Sequence, residues 1–157
     1  LIFGRVPYVG AMLGAWLGGL LAQSKLKAGW SVDRSRKLVI SIGCIIMLPA
    51  LLALAKPGGP TAAVLIMAVI LFGFQTAIGN VQTLPSDFFS GKTVGTLAGF
   101  AGMAAKLCAA GLIFLVPVLT KGGNYAPAFI IGASLALIAL ASVWFLCGKI
   151  EPLKPKV

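Results

Sequence analysis

Five long apolar stretches fill most of this 157-residue chain, and each is long enough to cross a lipid bilayer. A helix needs about 20 mostly apolar residues to span the hydrocarbon core of a membrane. Hydrophobic residues make up 59% of the chain and charged residues 10%, which leaves too few polar side chains to cover a water-soluble domain of this size. The sequence therefore predicts an all-α integral membrane protein, one helical bundle with transmembrane helices at about residues 6–22, 38–55, 61–84, 94–119 and 126–147. We expect this bundle to occupy residues 1–148 and a polar cytoplasmic tail to follow at residues 149–157.

The formal net charge of +10 is explained better by membrane topology than by nucleic-acid binding. If the segment at residues 25–37 is cytoplasmic, the alternation of the spans places nine basic residues inside and three outside. This asymmetry is the one that the positive-inside rule describes, so we expect a cytoplasmic carboxyl terminus and no nucleic-acid partner. The inner set is Lys25, Lys27, Arg34, Arg36, Lys37, Lys92, Lys149, Lys154 and Lys156, and the outer set is Arg5, Lys56 and Lys121.

The chain offers little material for catalysis or metal binding. It has no histidine and three acidic residues, which argues against catalytic triads, paired intramembrane carboxylates and His/Cys metal sites. Cys44, Cys108 and Cys147 all fall within predicted spans, where thiols most often act as small apolar side chains. We therefore expect neither an enzyme nor a bound cofactor or metal.

Glycines recur at helical spacing in two of the predicted spans. The first span carries Gly10, Gly14 and Gly18, and the fourth begins with Gly91, Gly95 and Gly99, with Gly102 on the same stripe. Small residues four positions apart allow two helix backbones to approach closely in lipid. These faces fit static packing within one bundle or sliding surfaces between two bundles, and the sequence alone does not separate the two.

Lys106 is the one basic residue inside a predicted span, and it is a candidate substrate ligand. It lies about 18 Å from the start of the fourth span, close to the membrane midplane, at a rise of ~1.5 Å per residue. It shares a helix face with Gly95, Gly99 and Gly102, so we expect this face to meet protein or a water-filled cavity. A cation at this depth costs at least ~2.5 kcal/mol on insertion scales, which favours a functional role. The alternative is a structural lysine that neighbouring carbonyls satisfy or that snorkels to the interface.

The second half of the third span carries five polar residues among apolar ones, and two of them are candidate substrate ligands. Gln75 lies nearer the midplane and Asn80 lies towards the cytoplasmic side. Their amides would suit a polyhydroxylated substrate, but amides in membrane helices also join helices to one another by hydrogen bonds. Both interpretations stay open for each of these polar residues, Gln75, Thr76, Asn80, Gln82 and Thr83.

Two acids lie beside basic residues in the predicted cytoplasmic loops. Asp87 is near Lys92 in sequence, and Asp33 is near Arg34 and Arg36. Such ion pairs could latch a bundle in one conformation. Isolated exposed pairs contribute only ~0–1 kcal/mol, so we do not assign them to a substrate site.

The residues from the third span into the fourth resemble those of a known transporter family. They read Phe74-Gln75, Gly79-Asn80, Ser86-Asp87-Phe88-Phe89, Lys92-Thr93-Val94-Gly95-Thr96, then Gly99 and Gly102-Met103-Ala104. This order is similar to that of sugar-acid transporters of the hexuronate and galactonate type, in the anion:cation symporter branch of the major facilitator superfamily. The loop at residues 29–37 also resembles that family's loop between the second and third helices of its carboxyl-terminal half.

The resemblance implies that the five spans are helices eight to twelve of a twelve-helix carrier, with the amino-terminal half missing. It implies proton-coupled, alternating-access uptake of a sugar acid across the plasma (inner) membrane, with the substrate held between two halves near the midplane. Gln75 and Asn80 are carried over as cavity residues. The proton-coupling acids are then expected in the missing half, and a natural five-span protein is the alternative. Ser90 departs from the family, which has proline there, and Lys106 interrupts its Gly-rich run.

Three other functions compete with a sugar-acid transporter. A transporter of the same fold with another small solute is the first, although a mid-membrane Lys106 without an intramembrane acid argues against a cationic one. A membrane-embedded enzyme or assembly protein is the second, but this sequence lacks the cluster of acids or histidines that such enzymes require. A small channel is the third, but nothing in the sequence resembles a selectivity filter.

Overall fold

The computed structural model describes residues 3–120 and 122–151, which form helices joined by short turns. A 3₁₀ turn at Phe3–Arg5 leads into the α-helices α1 (Val6–Lys27), α2 (Val32–Leu54), α3 (Pro60–Gln82), α4 (Leu84–Phe88), α5 (Lys92–Leu119) and α6 (Ala126–Phe145). No strand occurs within these two described ranges. Five helical segments, Phe3–Lys27, Val32–Leu54, Pro60–Phe88, Thr93–Leu119 and Ala126–Phe145, are long and apolar enough to cross a membrane. The prediction of an all-α membrane bundle with five spanning helices is therefore confirmed.

The first two long helices extend beyond the predicted spans into the basic segment between them. α1 continues to Lys27, and α2 begins at Val32, where the hydroxyl of Ser31 caps it by accepting a hydrogen bond from the Arg34 N–H at 3.3 Å. The turn that remains is four residues long and passes through Gly29 at a φ of +83°. Hydropathy marks where apolar residues end, but a helix can continue into the polar interface because lysine and arginine are good helix formers.

The glycine stripe of α1 packs directly against the backbone of α3. A Cβ atom added at Gly10 or Gly14 would overlap the carbonyl oxygens of Ala68 and Phe72. At Gly18 it would lie 2.8 Å from the carbonyl oxygen of Thr76. The small residues of this span therefore serve close packing within the bundle, as small-residue faces in membrane helices do.

α2 joins α1, α3 and α6 into one packed unit. Gly43 of α2 faces Gly73 of α3, where a Cβ atom on the first would lie 2.5 Å from the carbonyl oxygen of the second. The hydroxyl of Ser35, which is fully buried, donates to the carbonyl of Ala22 at 3.0 Å and ties α2 to α1. A buried apolar cluster in this unit contains Ile40, Cys44, Ala77 and Val143.

α5 stands apart from this packed unit. Its packing on the rest of the chain is light and involves mainly α4 and α6, and no residue of its span is buried. Large apolar side chains such as Ile113 and Phe114 are 70% and 79% exposed. Within the described residues, Gly95, Gly99 and Gly102 have no neighbouring atom where a Cβ would be placed. The second glycine stripe therefore does not pack within this chain, unlike the first.

The turns of the bundle gather at its two ends as the topology predicts. The start of α2, the helix α4 and the residues after α6 meet at one end, which we call the basic end, through contacts of Arg36 with Asp87 and of Asp33 with Ile150. At the opposite end, Pro57 and Asn124 line one cleft. Lys121, and residues 152–157 of the predicted tail, lie outside the described residues.

Candidate functional site

A polar cluster at the basic end joins α2, α3 and α4 through one arginine. The Nε of Arg36 lies 2.8 Å from Oδ2 of Asp87, and its Nη2 donates to Oδ1 of the same carboxylate at 3.4 Å. Its Nη1 donates to Oδ1 of Asn80 at 3.0 Å. The side chains of Arg36 and Asp87 are only 16% and 15% exposed, so this ion pair is screened by water far less than a surface pair. We call Arg36, Asn80 and Asp87 the Arg36 cluster.

Local sequence explains why these three side chains meet. Arg36 lies in the first turns of α2, whose start is fixed by the Ser31 cap. After α3 ends at Gln82, the hydroxyl of Thr83 donates back to the carbonyl of Asn80 at 2.8 Å, and α4 starts at once with a proline in its first turn. The short helix α4 places Asp87 beside the start of α2, where its carboxylate meets the guanidinium of Arg36.

The amide of Asn80 is fully engaged within the bundle. Its oxygen accepts from Arg36, and its nitrogen donates to the carbonyl of Thr76 at 3.1 Å and, at the long distance of 3.5 Å, to that of Gly18. Asn80 is 3% exposed, and Thr76 beside it is 2% exposed and donates to the carbonyl of Gly14 at 3.1 Å. This face of α3 therefore serves helix association, one of the two interpretations that the sequence left open, and Asn80 reaches a ligand only if it gives up one of these partners.

A second polar cluster at the basic end fastens the segment after α6 onto α2. The Nζ of Lys37 lies 2.8 Å from Oδ1 of Asp33 and donates to the carbonyl of Gly148, and Oδ1 of Asp33 accepts from the Ile150 N–H at 3.0 Å. The ammonium also lies 5.6 Å from the centre of the Trp144 ring, a distance suited to a cation–π contact. We call Asp33, Lys37, Gly148 and Ile150 the α6 clamp. The predicted domain boundary at residue 148 falls within this clamp.

Both ion pairs differ from those expected from sequence proximity. Asp33 pairs with Lys37 instead of Arg34 or Arg36, because residues four positions apart share a helix face. Asp87 pairs with Arg36 across 51 positions. The sequence analysis did not single out Arg36 or Lys37 as site residues. Two features of the sequence could have indicated them. Both residues lie at the start of an apolar helix, and the whole chain has only three acids that could neutralise a cation there.

The structure does not bring the three predicted substrate ligands together. Asn80 is buried in the packed unit, Gln75 is half-buried on α3, and Lys106 is exposed on α5. α3 and α5 do not pack closely against each other. Within the described residues the side chains of Gln75 and Lys106 make no hydrogen bond or ion pair, so both remain available to a ligand. The face of α5 that carries Lys106 contacts no other part of the described chain where its glycines lie.

The chain is similar in sequence to known transporters of sugar acids. The five long apolar helices define a helical integral membrane protein. The chain is 29% identical over 145 residues to a hexuronate transporter of Escherichia coli (strain K12), an alignment covering 91% of this chain and 33% of that protein. It is 26% identical over 146 residues to a D-galactonate transporter of Escherichia coli O6:H1, covering 93% of this chain and 34% of that protein. No family model matches the chain.

These alignments confirm the resemblance to hexuronate- and galactonate-type transporters that the residues between Phe74 and Ala104 indicate. They extend it over nearly the whole chain. The chain spans about a third of the length of the curated relatives that it matches.

Proposed function

We propose that this chain is the carboxyl-terminal part of a secondary active transporter that moves a sugar acid by proton-coupled alternating access. The observation that carries the proposal is an alignment, at 29% identity, of 91% of the chain with a protein named as a hexuronate transporter. The helical membrane bundle and the cation within a spanning helix support it. The substrate class is an anion with several hydroxyl groups, and the rest of the transporter supplies the acids for proton coupling.

Lys106 is the proposed contact for the substrate carboxylate. The three acidic side chains of the whole sequence, Asp33, Asp87 and Glu151, already pair with Lys37, Arg36 and Lys149 at the basic end. None of these three pairs involves Lys106, so no acidic side chain of the sequence pairs with the lysine in the middle of α5. A cation at such a depth is costly, and an anionic ligand in a poorly hydrated cavity offsets that cost with a charge-assisted hydrogen bond.

The exposed face of α5 is the proposed boundary with the rest of the transporter. The glycine stripe has no partner atoms within the described chain, while the similar stripe of α1 is packed closely against α3. Because the relatives are about three times as long as this chain, an additional bundle is available to cover α5 in the complete protein. A substrate cavity between the two bundles would then contain Lys106 of α5 and Gln75 of α3.

Asn80 is proposed to act on substrate binding from the edge of the cavity. Its amide oxygen holds Arg36, which also holds Asp87. A change at Asn80 therefore reaches α4 and the start of α5 through the Arg36 cluster. Alternating access rocks one helical bundle against another as a nearly rigid body, and the cluster together with the packed glycines keeps α1, α2 and α3 together during such a movement.

The proposal is tested by uptake into proteoliposomes that contain the full-length transporter to which this chain belongs. We expect saturable uptake of a radiolabelled hexuronate, stimulated by an inward proton gradient and abolished by a protonophore. Unlabelled galactonate should compete, and glucose, the matched neutral sugar, should not. Uptake that is unchanged by the protonophore would overturn the proposed proton coupling. Competition by glucose as strong as that by galactonate would overturn the proposed anionic substrate class.

A further inference from the structure

A cleft at the basic end opens beside the turn between α1 and α2. Its polar part has a volume of about 630 Å³ and is lined by Gly29, Trp30, Ser31, Asp33, Arg34 and Lys149. A second part, of about 360 Å³, shares Trp30, Asp33 and Arg34 with the first and adds Leu38, Lys37 and Trp144. We call the two parts together the Trp30 cleft. Neither the proposed substrate site nor the Arg36 cluster uses it.

The charge of the Trp30 cleft is positive. Its one lining carboxylate, Asp33, is already neutralised by Lys37 and by the Ile150 N–H. Within the described residues the guanidinium of Arg34 has no hydrogen bond or ion pair, and Arg34 is exposed. Lys149 has Glu151 at 3.2 Å, but both side chains are mostly exposed, so this pair is weak and easily exchanged. Lys25 adds a further positive charge, with its Nζ 4.8 Å from the centre of the Trp30 ring.

The lining of the cleft changes from polar to apolar along the helix axis. Arg34 and Leu38 lie one helical turn apart on α2, which puts Leu38 about 6 Å deeper towards the membrane. Trp30 is 41% exposed and Trp144 is 53% exposed, and tryptophans of this kind settle at the headgroup level of a bilayer. A cationic mouth above an apolar wall complements an amphiphile with an anionic head. A small soluble anion would leave the apolar part unused.

We propose that the Trp30 cleft binds an anionic phospholipid, with its phosphate at Arg34 and Lys149 and an acyl chain along Leu38 and Trp144. Basic pockets between transmembrane helices on the cytoplasmic side are suited to such headgroups. Each basic side chain near an anionic lipid surface contributes roughly a fivefold gain in affinity, so the two together account for about thirtyfold.

The test is native mass spectrometry of the purified full-length transporter in detergent with equimolar phosphatidylglycerol and phosphatidylcholine of identical acyl chains. We expect preferential retention of phosphatidylglycerol, and a loss of about thirtyfold in its affinity for the Arg34→Gln/Lys149→Gln variant. Arg5→Gln/Lys56→Gln removes the same charge at the opposite end of the bundle and should change the affinity less than twofold. Circular dichroism checks that both variants keep the helical content of the wild-type chain.

Three results would overturn the proposal. An equal loss in the control pair would mean general attraction to a basic protein instead of a site. Displacement of phosphatidylglycerol by glycerol 3-phosphate at matched concentration would mean that the cleft takes a soluble anion. Equal retention of the two lipids by the wild-type transporter, a measurement that needs no variant, would mean that the cleft does not select an anionic headgroup.

Discussion

Arg36 and Asp87 are 51 residues apart in the sequence, and the guanidinium Nε of one lies 2.8 Å from the carboxylate of the other. The pair joins the start of α2 to the short helix α4, and both side chains are largely buried. A hydrogen-bonded pair of this kind differs physically from an exposed one, because removal of either partner leaves a charge without compensation in a place that water reaches poorly.

The first prediction is a measurable coupling energy between these two residues. In a double-mutant cycle of Arg36→Gln and Asp87→Asn, unfolded by detergent titration in mixed micelles, we expect about 1–3 kcal/mol of coupling. The Lys149–Glu151 pair, whose side chains are 73% and 60% exposed, is the matched control and should give no measurable coupling. Similar values for both pairs would contradict the structural role of the Arg36 cluster.

The second prediction separates two glycines on opposite faces of α1. Gly14 contacts the backbone of α3, so Gly14→Ala should destabilise the bundle by about 1–3 kcal/mol through overpacking. Gly19 has no atom within 4 Å of an added Cβ, so Gly19→Ala should be neutral or should stabilise the helix by up to ~1 kcal/mol. Equilibrium unfolding of both variants in mixed micelles checks this, and a Gly14→Ala variant as stable as Gly19→Ala would exclude the close packing of α1 on α3.

Sequence patterns predicted the helices of this chain well but not their contacts. Length and hydropathy depend on each helix alone and were sufficient for five spans. The two glycine stripes look alike in sequence, yet Gly14 packs against Phe72 while Gly95 has no neighbouring atom, within the described chain, where a Cβ would be placed. The difference arises because packing depends on which helix lies opposite. For the same reason Asn80 could be recognised as a polar residue of a span, while its engagement by Arg36 required the tertiary fold.

The third prediction concerns the α6 clamp. The Ile150 amide donates to Asp33, and Ile150 is 2% exposed, so Asp33→Ala should open this segment. Loss of a hydrogen bond to a charged acceptor corresponds to an increase of about tenfold to a hundredfold in the exchange rate of the Ile150 amide. Hydrogen–deuterium exchange measures it, with Arg34→Ala as the neighbouring control, which should leave the rate unchanged. An unchanged rate in Asp33→Ala would show that the carboxylate does not hold this segment.

The fourth prediction assigns the two ends of the bundle to the two sides of the membrane. In a variant without native cysteines, single cysteines at Gly58 and Gly122 should react with a membrane-impermeant thiol reagent added outside intact cells. A cysteine at Ser31, at the basic end, should react only after the membrane is permeabilised. Both results follow from the excess of lysine and arginine at that end. Labelling of Ser31 from outside, with Gly58 protected, would reverse the orientation.

Lys106 decides the central claim, that this chain contributes a cation to an anion-binding cavity. The measurement is the affinity of the full-length transporter for a hexuronate, by isothermal titration of the wild-type protein and of Lys106→Ala, Lys106→Arg and the exposed helix-end control Lys27→Ala. Loss of a charge-assisted bond of ~1.5–3 kcal/mol predicts a weakening of about tenfold to a hundredfold in Lys106→Ala. Lys106→Arg should keep part of the affinity, because the charge remains while its geometry changes, and Lys27→Ala should keep all of it. A correctly folded Lys106→Ala transporter that binds the hexuronate as tightly as the wild type would contradict the account.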